Sequence, residues 1–293
     1  MAAAQTGAAD GLYTCFQMLM FDGDVADWEE FERRVKDLQQ QYPHHRALVF
    51  RGLSDSTWPL TTTLERHGSV EMPFAEYYNV IAISEPQIRT FAPTTWDQIE
   101  TYPEIARLAR EYDAFHLHVG GGQLRAYGYM AYLRHQGFPS PLMDWTRSPY
   151  LAAFFAFRSA IKPPHDRVSV FAFCETPAGM KRGGSGDAQI FRLGPYARAH
   201  RRHFLQQGEY TMCVRWDRSD SYPWHFASHS AVLSRADAKQ DLLWKFNIPW
   251  GERIKVLKLL DDHNVNAFSL FDSDEALLET IALRELTFRR PPA

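Results

Sequence analysis

Cysteine is scarce in this chain of 293 residues: Cys15, Cys174 and Cys213 stand far apart, odd in number and without a Cys-x-x-Cys spacing. That pattern argues against a disulfide framework and against a cysteine zinc cluster. No apolar run approaches the roughly 18 residues a membrane span requires. The opening MAAAQTGAAD has neither the basic start nor the apolar core of a secretion signal. A reducing, cytoplasmic setting without membrane contact is therefore expected. Net charge is also small, −3, so the chain as a whole exerts no pull on nucleic acid or membrane.

Several chemical signatures are missing too. Neither a Gly-x-x-x-x-Gly-Lys-Ser/Thr loop nor a Gly-x-Gly-x-x-Gly turn occurs, which removes P-loop and Rossmann readings. Gly183-Gly184-Ser185-Gly186 runs into Asp187, so it misses the Gly-x-Ser-x-Gly nucleophile elbow. His225 and His229 are four apart, but no Glu follows the first, as zinc proteases need. His116/His118 and His200/His203 are no better placed, and no metal is expected. Nothing around the cysteines marks a nucleophile.

Aromatic residues are abundant, at 14% with 8 Trp, 13 Tyr and 20 Phe. Rings supply core volume first and stacking platforms for planar ligands second. With 45% hydrophobic and 23% charged residues the chain has an ordinary globular composition. Charge is uneven locally: Lys181 to Arg218 holds eight Lys/Arg against three acids. Such a segment either seats phosphates or forms a solvated face.

Along the chain, the first ten residues are small and polar, with disorder expected. LYTCFQMLMF (12–21) reads as a buried strand. Asp24 is a candidate N-cap for a helix whose Trp28, Phe31, Val35 and Leu38 recur at helical spacing and which ends before Pro43. ALVFRG (47–52) reads as a short strand, and 54–63 as loop. Helices are expected over 74–91 and 97–119, separated at Pro93, then after Gly120-Gly121-Gly122 through Tyr127, Met130 and Leu133. Another is expected from Pro149 to Ser159. Residues 169–173 and 209–216 read as strands, and 183–186 as a glycine-rich loop. The last helices are placed at 236–245, 251–263 and 273–285, the middle one amphipathic through Ile254, Leu257 and Leu260. With no repeat and no linker-like break, the layout is a 1–45 N-terminal extension packed on a 46–288 domain.

Three blocks carry a family resemblance. The first is Phe50-Arg51-Gly52 with Trp58-Pro59-Leu60, Leu64 and Arg66. The second runs from Arg134-His135-Gln136-Gly137-Phe138-Pro139-Ser140 through Leu142-Met143-Asp144-Trp145-Thr146 into Ala152, Ala153, Phe155 and Ala156. The third is Gln206-Gln207-Gly208 and Leu270-Phe271-Asp272. Together they resemble the FRG domain family, with Gln136 where the family usually has an aromatic and Pro141 in place of a basic residue. A toxin or antiphage role, and with it an inhibitory partner protein, follows from association with that family.

A second pattern is similar to that of ADP-ribosyltransferases, which place an Arg on an early strand, a Ser/Thr-rich strand before an Ala/Phe-faced helix, and a late Glu. Arg51, the run Thr146-Arg147-Ser148-Pro149 and Glu209 follow that order. The resemblance implies an α+β fold with mixed helices around a small, mainly antiparallel sheet, ADP-ribosyltransferase-like. It implies an NAD-dependent ADP-ribosyltransferase or NAD glycohydrolase, with NAD as substrate. Nucleic acid is the first acceptor to consider, given the aromatic and basic 181–218 segment, and protein the second.

Splitting nicotinamide from NAD develops positive charge on the ribose, so an anion is needed beside it. Glu209 is the candidate, with Glu85 its rival. Arg51 offers the pyrophosphate a planar donor array. Thr146 and Ser148 supply hydroxyls, Trp145 and Tyr210 rings for nicotinamide, His135 a base or phosphate contact, and Gln207 a substrate contact. Each has a plainer alternative: Arg51 pairing with Asp144 or Glu85, Asp144 capping the helix near Pro149 or binding ligand, Trp145 in the core, Glu209 exposed at a strand start. The rival from another class is a non-catalytic nucleotide-binding sensor or adaptor built on Arg51 and Asp144.

Overall fold

The structure, a computed structural model, describes residues 21–91 except 45, 46 and 70, and residues 124–289 except 125, 178, 180, 182, 184, 185, 195–200, 218, 236 and 238. The strand expected before Phe21 and the helix expected over 97–119 lie outside these residues. Among the described residues no helix is long and apolar enough to cross a membrane.

The chain opens with β1 (Phe21–Asp24) and α1 (Trp28–Gln41). Asp27, rather than Asp24, caps α1, accepting a hydrogen bond from the Glu30 amide, because Asp24 still lies in the strand. Trp28, Phe31, Val35 and Leu38 are all buried, as their spacing predicts. Next come β2 (Leu48–Leu53), α2 (Thr63–Arg66), β3 (Met72–Pro73), α3 (Phe74–Phe91) and α4 (Tyr127–His135). Then follow β4 (Leu142–Thr146), α5 (Pro149–Phe157), β5 (Arg167–Cys174), β6 (Ala188–Arg192), α6 (Arg201–Leu205) and β7 (Gly208–Trp216). The chain closes with β8 (Trp224–Phe226), α7 (His229–Leu233), β9 (Leu242–Pro249), α8 (Arg253–Asp262), α9 (Ala267–Phe271) and α10 (Asp274–Ala282).

The strands make one nine-stranded sheet in the order β1-β9-β5-β2-β4-β7-β8-β3, with β6 also on β7. Among the described strands only the β1–β9 pairing is parallel; the rest are antiparallel. The fold is α+β with a mainly antiparallel sheet, as expected, but the sheet is large rather than small. Part of the difference is β9, where a helix was expected over 236–245. Leu242, Leu243 and Trp244 are all buried, and the strand is paired on both edges, by β1 and β5. Tertiary pairing overrides a local pattern here. In α8 the buried residues are Val256, Leu257 and Leu260, while Ile254 is exposed.

The sheet is nearly two sheets. β2 and β4 are neighbours through a single register pair, Phe50 with Thr146. On one side of that joint stand β1, β9, β5 and β2, and on the other β4, β7, β6, β8 and β3. The halves face each other across an inner core of Val49, Phe171, Phe173 and Leu243 against Met143, Trp145, Ile190 and Cys213. Trp145 stacks on Phe173 across it, with ring centroids 5.5 Å apart. The outer face of the first half is covered by α1, α5, α8, α9 and α10. The outer face of the second is covered by α3 and α4. Residues 21–41 are integral to this arrangement, since β1 is a strand of the sheet and α1 fills a core.

Gly52 explains how α5 reaches the sheet. A Cβ built there would meet the Ala152 carbonyl oxygen at 1.9 Å and the Ala156 amide nitrogen at 2.7 Å. Glycine on the strand and alanines on the helix let the two backbones touch.

Candidate functional site: a cleft where two strands part

Beyond the Phe50–Thr146 pair the ladder between β2 and β4 does not continue. Continued register would set Gly52 opposite Asp144, leaving the Asp144 carbonyl to be satisfied by the sheet. The side chain of Arg51 takes that place: its Nη1 donates to the Asp144 main-chain oxygen at 2.6 Å and also to the Asp144 carboxylate. Arg134, from the last turn of α4, donates through Nη2 to the same carboxylate oxygen at 2.5 Å. Two guanidiniums thus share one acid. Burial opposes ionisation of Asp144, but the charges of Arg134 and then Arg51 hold its carboxyl well below the usual carboxylate range. Asp144 is nonetheless half-exposed, at 46% of its side chain, while Arg51 and Arg134 are mostly covered. Arg66 lies near enough that Arg51 and Arg134, after burial, push its pKa down.

Arg51 and Asp144 open onto a cleft of about 240 Å³. Arg51, Asp144, His135 and Thr146 give it polar walls, and Phe50, Leu53 and Phe155 apolar ones, with Trp58 also in the lining. Tyr210 Oη meets His135 Nε2 at 2.7 Å. Burial first, and then Asp144, push the Tyr210 phenol up, so it stays a neutral hydroxyl beside the imidazole. Thr146 donates its hydroxyl to the Gln206 carbonyl at 2.8 Å and accepts from the Ser148 amide at 3.2 Å.

Of the residues singled out in the sequence, Arg51, His135, Asp144, Trp145, Thr146 and Tyr210 all line this cleft. Their roles differ from expectation in several places. The rings of Trp145 and Tyr210 are 5% and 1% exposed, so neither is a free stacking platform. Trp145 Nε1 donates to Thr211 Oγ1 at 2.8 Å, and that hydroxyl in turn meets His229 Nε2 at 2.9 Å. Ser148 Oγ accepts from the Leu151 amide as the N-cap of α5, a role the sequence offered to Asp144. Gln207 is exposed, with φ of 46°, and its neighbour Gln206 lines the cleft instead. Glu85 pairs with Arg89 one turn along α3 and is not part of the lining.

Glu209 departs furthest from expectation. It follows Gly208 on β7 and, as the neighbour of Tyr210, faces the other side of the strand. It is 1% exposed, its carboxylate held by Arg192 Nε at 2.5 Å and, more loosely, by Arg147 Nε at 3.8 Å. A strand-start Glu is ordinarily solvated; here Arg192, on the paired strand β6, turns inward to meet it.

Among the described residues, the cations of the basic segment 181–218 are largely spent within the fold. Lys181 bonds Glu175 and Asp241, Arg192 binds Glu209, Arg201 meets Asp272, and Arg215 meets Glu71 and Asp217. Among the described residues no group of three His, Cys, Asp or Glu side chains gathers to hold a metal.

Sequence reasoning missed Trp58, which lines the cleft, and Arg134, which bonds the cleft's Asp144. Arg134 stands beside His135 in the second motif block, which was the available signal for it. Trp58 stands in the first block, but its exposure of 53% has no sequence signal, because Trp is ordinarily well covered.

The site is built on the residues that carry the family match. The FRG domain family model matches residues 46–164, which run from the residues before β2 to the loop after α5. Arg51, Arg134 and Asp144 all lie inside the matched stretch, while Glu209 and the third motif block lie beyond it. No match was found among curated proteins or among solved structures.

Proposed function

We propose that this protein binds NAD in the cleft between β2 and β4 and breaks its nicotinamide–ribose bond, as an ADP-ribosyltransferase-type enzyme. The observation that carries the reading is the convergence of two guanidiniums and one permanently ionised, half-exposed carboxylate in a ligand-accessible notch. Arg51 and Arg134 have donors to spare for a phosphate, since each uses a single nitrogen on Asp144. The Nε of Arg134 is buried without a hydrogen-bond partner among the described residues.

When the glycosidic bond breaks, the electron pair leaves with nicotinamide and positive charge develops on the ribose. An anion fixed in advance beside that carbon lowers the barrier. Asp144 is the carboxylate within the cleft, so the role first offered to Glu209 passes to it. An acceptor nucleophile, or water in a glycohydrolase, then takes the ribose carbon and releases its proton. His135, bound through Nε2 to Tyr210, is the titratable group at hand. The acceptor is a nucleic acid or a protein group, and the ion pairing of Lys181, Arg192, Arg201 and Arg215 favours protein.

A second reading has its own support. Asp144 is already shared by two arginines, and Glu209 is sealed by Arg192 and Arg147. A cleft so neutralised suits a non-catalytic nucleotide sensor. The test is NAD consumption by wild type and Arg51→Ala, with DNA, RNA or lysate protein as acceptor. Loss of NAD in wild type alone supports the enzyme, and labelled product identifies the acceptor. Binding of NAD without loss under any condition supports the sensor.

A further inference from the structure

Trp58 is 53% exposed, whereas Trp28, Trp145, Trp224 and Trp244 are each less than 10% exposed. Leaving an indole in water forgoes about 2 kcal/mol or more of burial, so its position at the cleft calls for a reason. The side chain is not on a slack loop. Upstream, Asp55 is buried and accepts from the Thr57 amide and hydroxyl, and the Ser56 amide donates to the Arg167 carbonyl. The Trp58 amide closes the turn on the Asp55 carbonyl at 3.2 Å. Downstream, Leu60 is 1% exposed in the inner core and Thr62 forms a capping box with Glu65. The turn is pinned on both sides and presents the ring to the cleft.

The cleft is therefore two-ended in its chemistry. Trp58, Leu53 and Phe155 give it an aromatic and apolar part, and Arg51 a cationic one, with Arg134 behind it on the Asp144 carboxylate. Its volume of about 240 Å³ falls just under the ~300 Å³ at which drug-sized ligand pockets begin. That is room for one nucleotide, not for a whole dinucleotide.

We propose that Trp58 and the Arg51/Arg134 pair form a mononucleotide subsite, in which a heteroaromatic ring stacks on the Trp58 indole and its phosphate meets the guanidiniums. This rests on the nucleotide reading above and deepens it: one half of NAD occupies the cleft, and the other half lies outside. The ring is nicotinamide or adenine, which share the stacking chemistry and are separated by the test.

The experiment is calorimetric titration of the full chain, as wild type, Trp58→Phe and Trp58→Ala, with nicotinamide mononucleotide, AMP and ribose 5-phosphate. Trp58→Ala should weaken the preferred nucleotide about 10-fold or more, the size of base–aromatic stacking. Trp58→Phe should weaken it only slightly. Ribose 5-phosphate, which has no ring, should bind all three proteins equally. The nucleotide that binds more tightly to wild type identifies the half of NAD that enters. Equal weakening of nucleotide and ribose 5-phosphate, or no weakening, overturns the stacking role while leaving nucleotide binding intact. Failure of wild type to bind either nucleotide or NAD overturns both.

Discussion

The guanidinium of Arg51 hydrogen-bonds both the main-chain carbonyl and the carboxylate of Asp144, filling the gap where two neighbouring strands stop pairing. One side chain thus stands in for a sheet hydrogen bond and places a cation in the cleft. Arg51→Ala should remove both functions. It should destabilise the protein by about 1–3 kcal/mol in urea titration, the cost of leaving a carbonyl and a carboxylate short of a partner. Arg51→Lys should recover part of this and little of the ligand affinity, because an ammonium lacks the planar fork.

Gly52→Ala should be worse than its single methyl group suggests. The new Cβ would lie 1.9 Å from the Ala152 carbonyl oxygen, and both atoms belong to stiff backbone. A loss of at least about 2 kcal/mol is expected, with α5 displaced from β2. A melting temperature equal to wild type would mean that the helix does not ride on the strand.

Ser148 caps α5. Ser148→Ala should cost about 1 kcal/mol of stability and leave NAD affinity of the folded protein unchanged. A selective loss of affinity or turnover without destabilisation would return Ser148 to the ligand site.

Two buried groups titrate in opposite senses. Burial, then Arg51 and Lys181, lower His229 from 6.5 to about 3. Its folded pKa is depressed, so the unfolded chain binds the extra proton and stability falls as pH drops from 6.5 toward 3. Burial raises Asp241 from 3.8 to about 6 against the pull of Lys181. Here the folded state binds the extra proton, so its contribution is present at low pH and lost as pH rises through about 6. Between about 4 and 6 the two slopes offset each other. Asp241→Asn should expose the histidine slope, about 1.4 kcal/mol per pH unit, and His229→Gln should remove it. Denaturation midpoints at several pH values in that window check both.

Much of this was legible in the sequence. Trp28, Phe31, Val35 and Leu38 announced α1 by spacing alone, and Arg51, His135, Asp144 and Thr146 came from two motif blocks and meet in one cleft. What was not legible depends on partners distant in sequence. The parting of β2 from β4 is a fact about pairing across some ninety residues, and no local pattern encodes it. The helical pattern of 236–245 does not hold where β9 begins, because the neighbours β1 and β5, not the local residues, decide its state. The burial of Glu209, the candidate catalytic carboxylate, was not legible because Arg192, which holds its charge, sits seventeen residues earlier on another strand.

The central claim is that the working carboxylate is Asp144 in the cleft, not Glu209 behind the sheet. The most direct test is NAD turnover by wild type, Asp144→Asn and Glu209→Gln, each normalised to folded protein, with NAD affinity measured alongside. Asp144→Asn should lose about 100-fold or more in turnover while binding NAD at least as well as wild type. Glu209→Gln should melt earlier, since it strips a buried charge from Arg192, yet turn over within a few-fold of wild type. Abolished turnover in Glu209→Gln with NAD binding intact, and an active Asp144→Asn, would contradict the account.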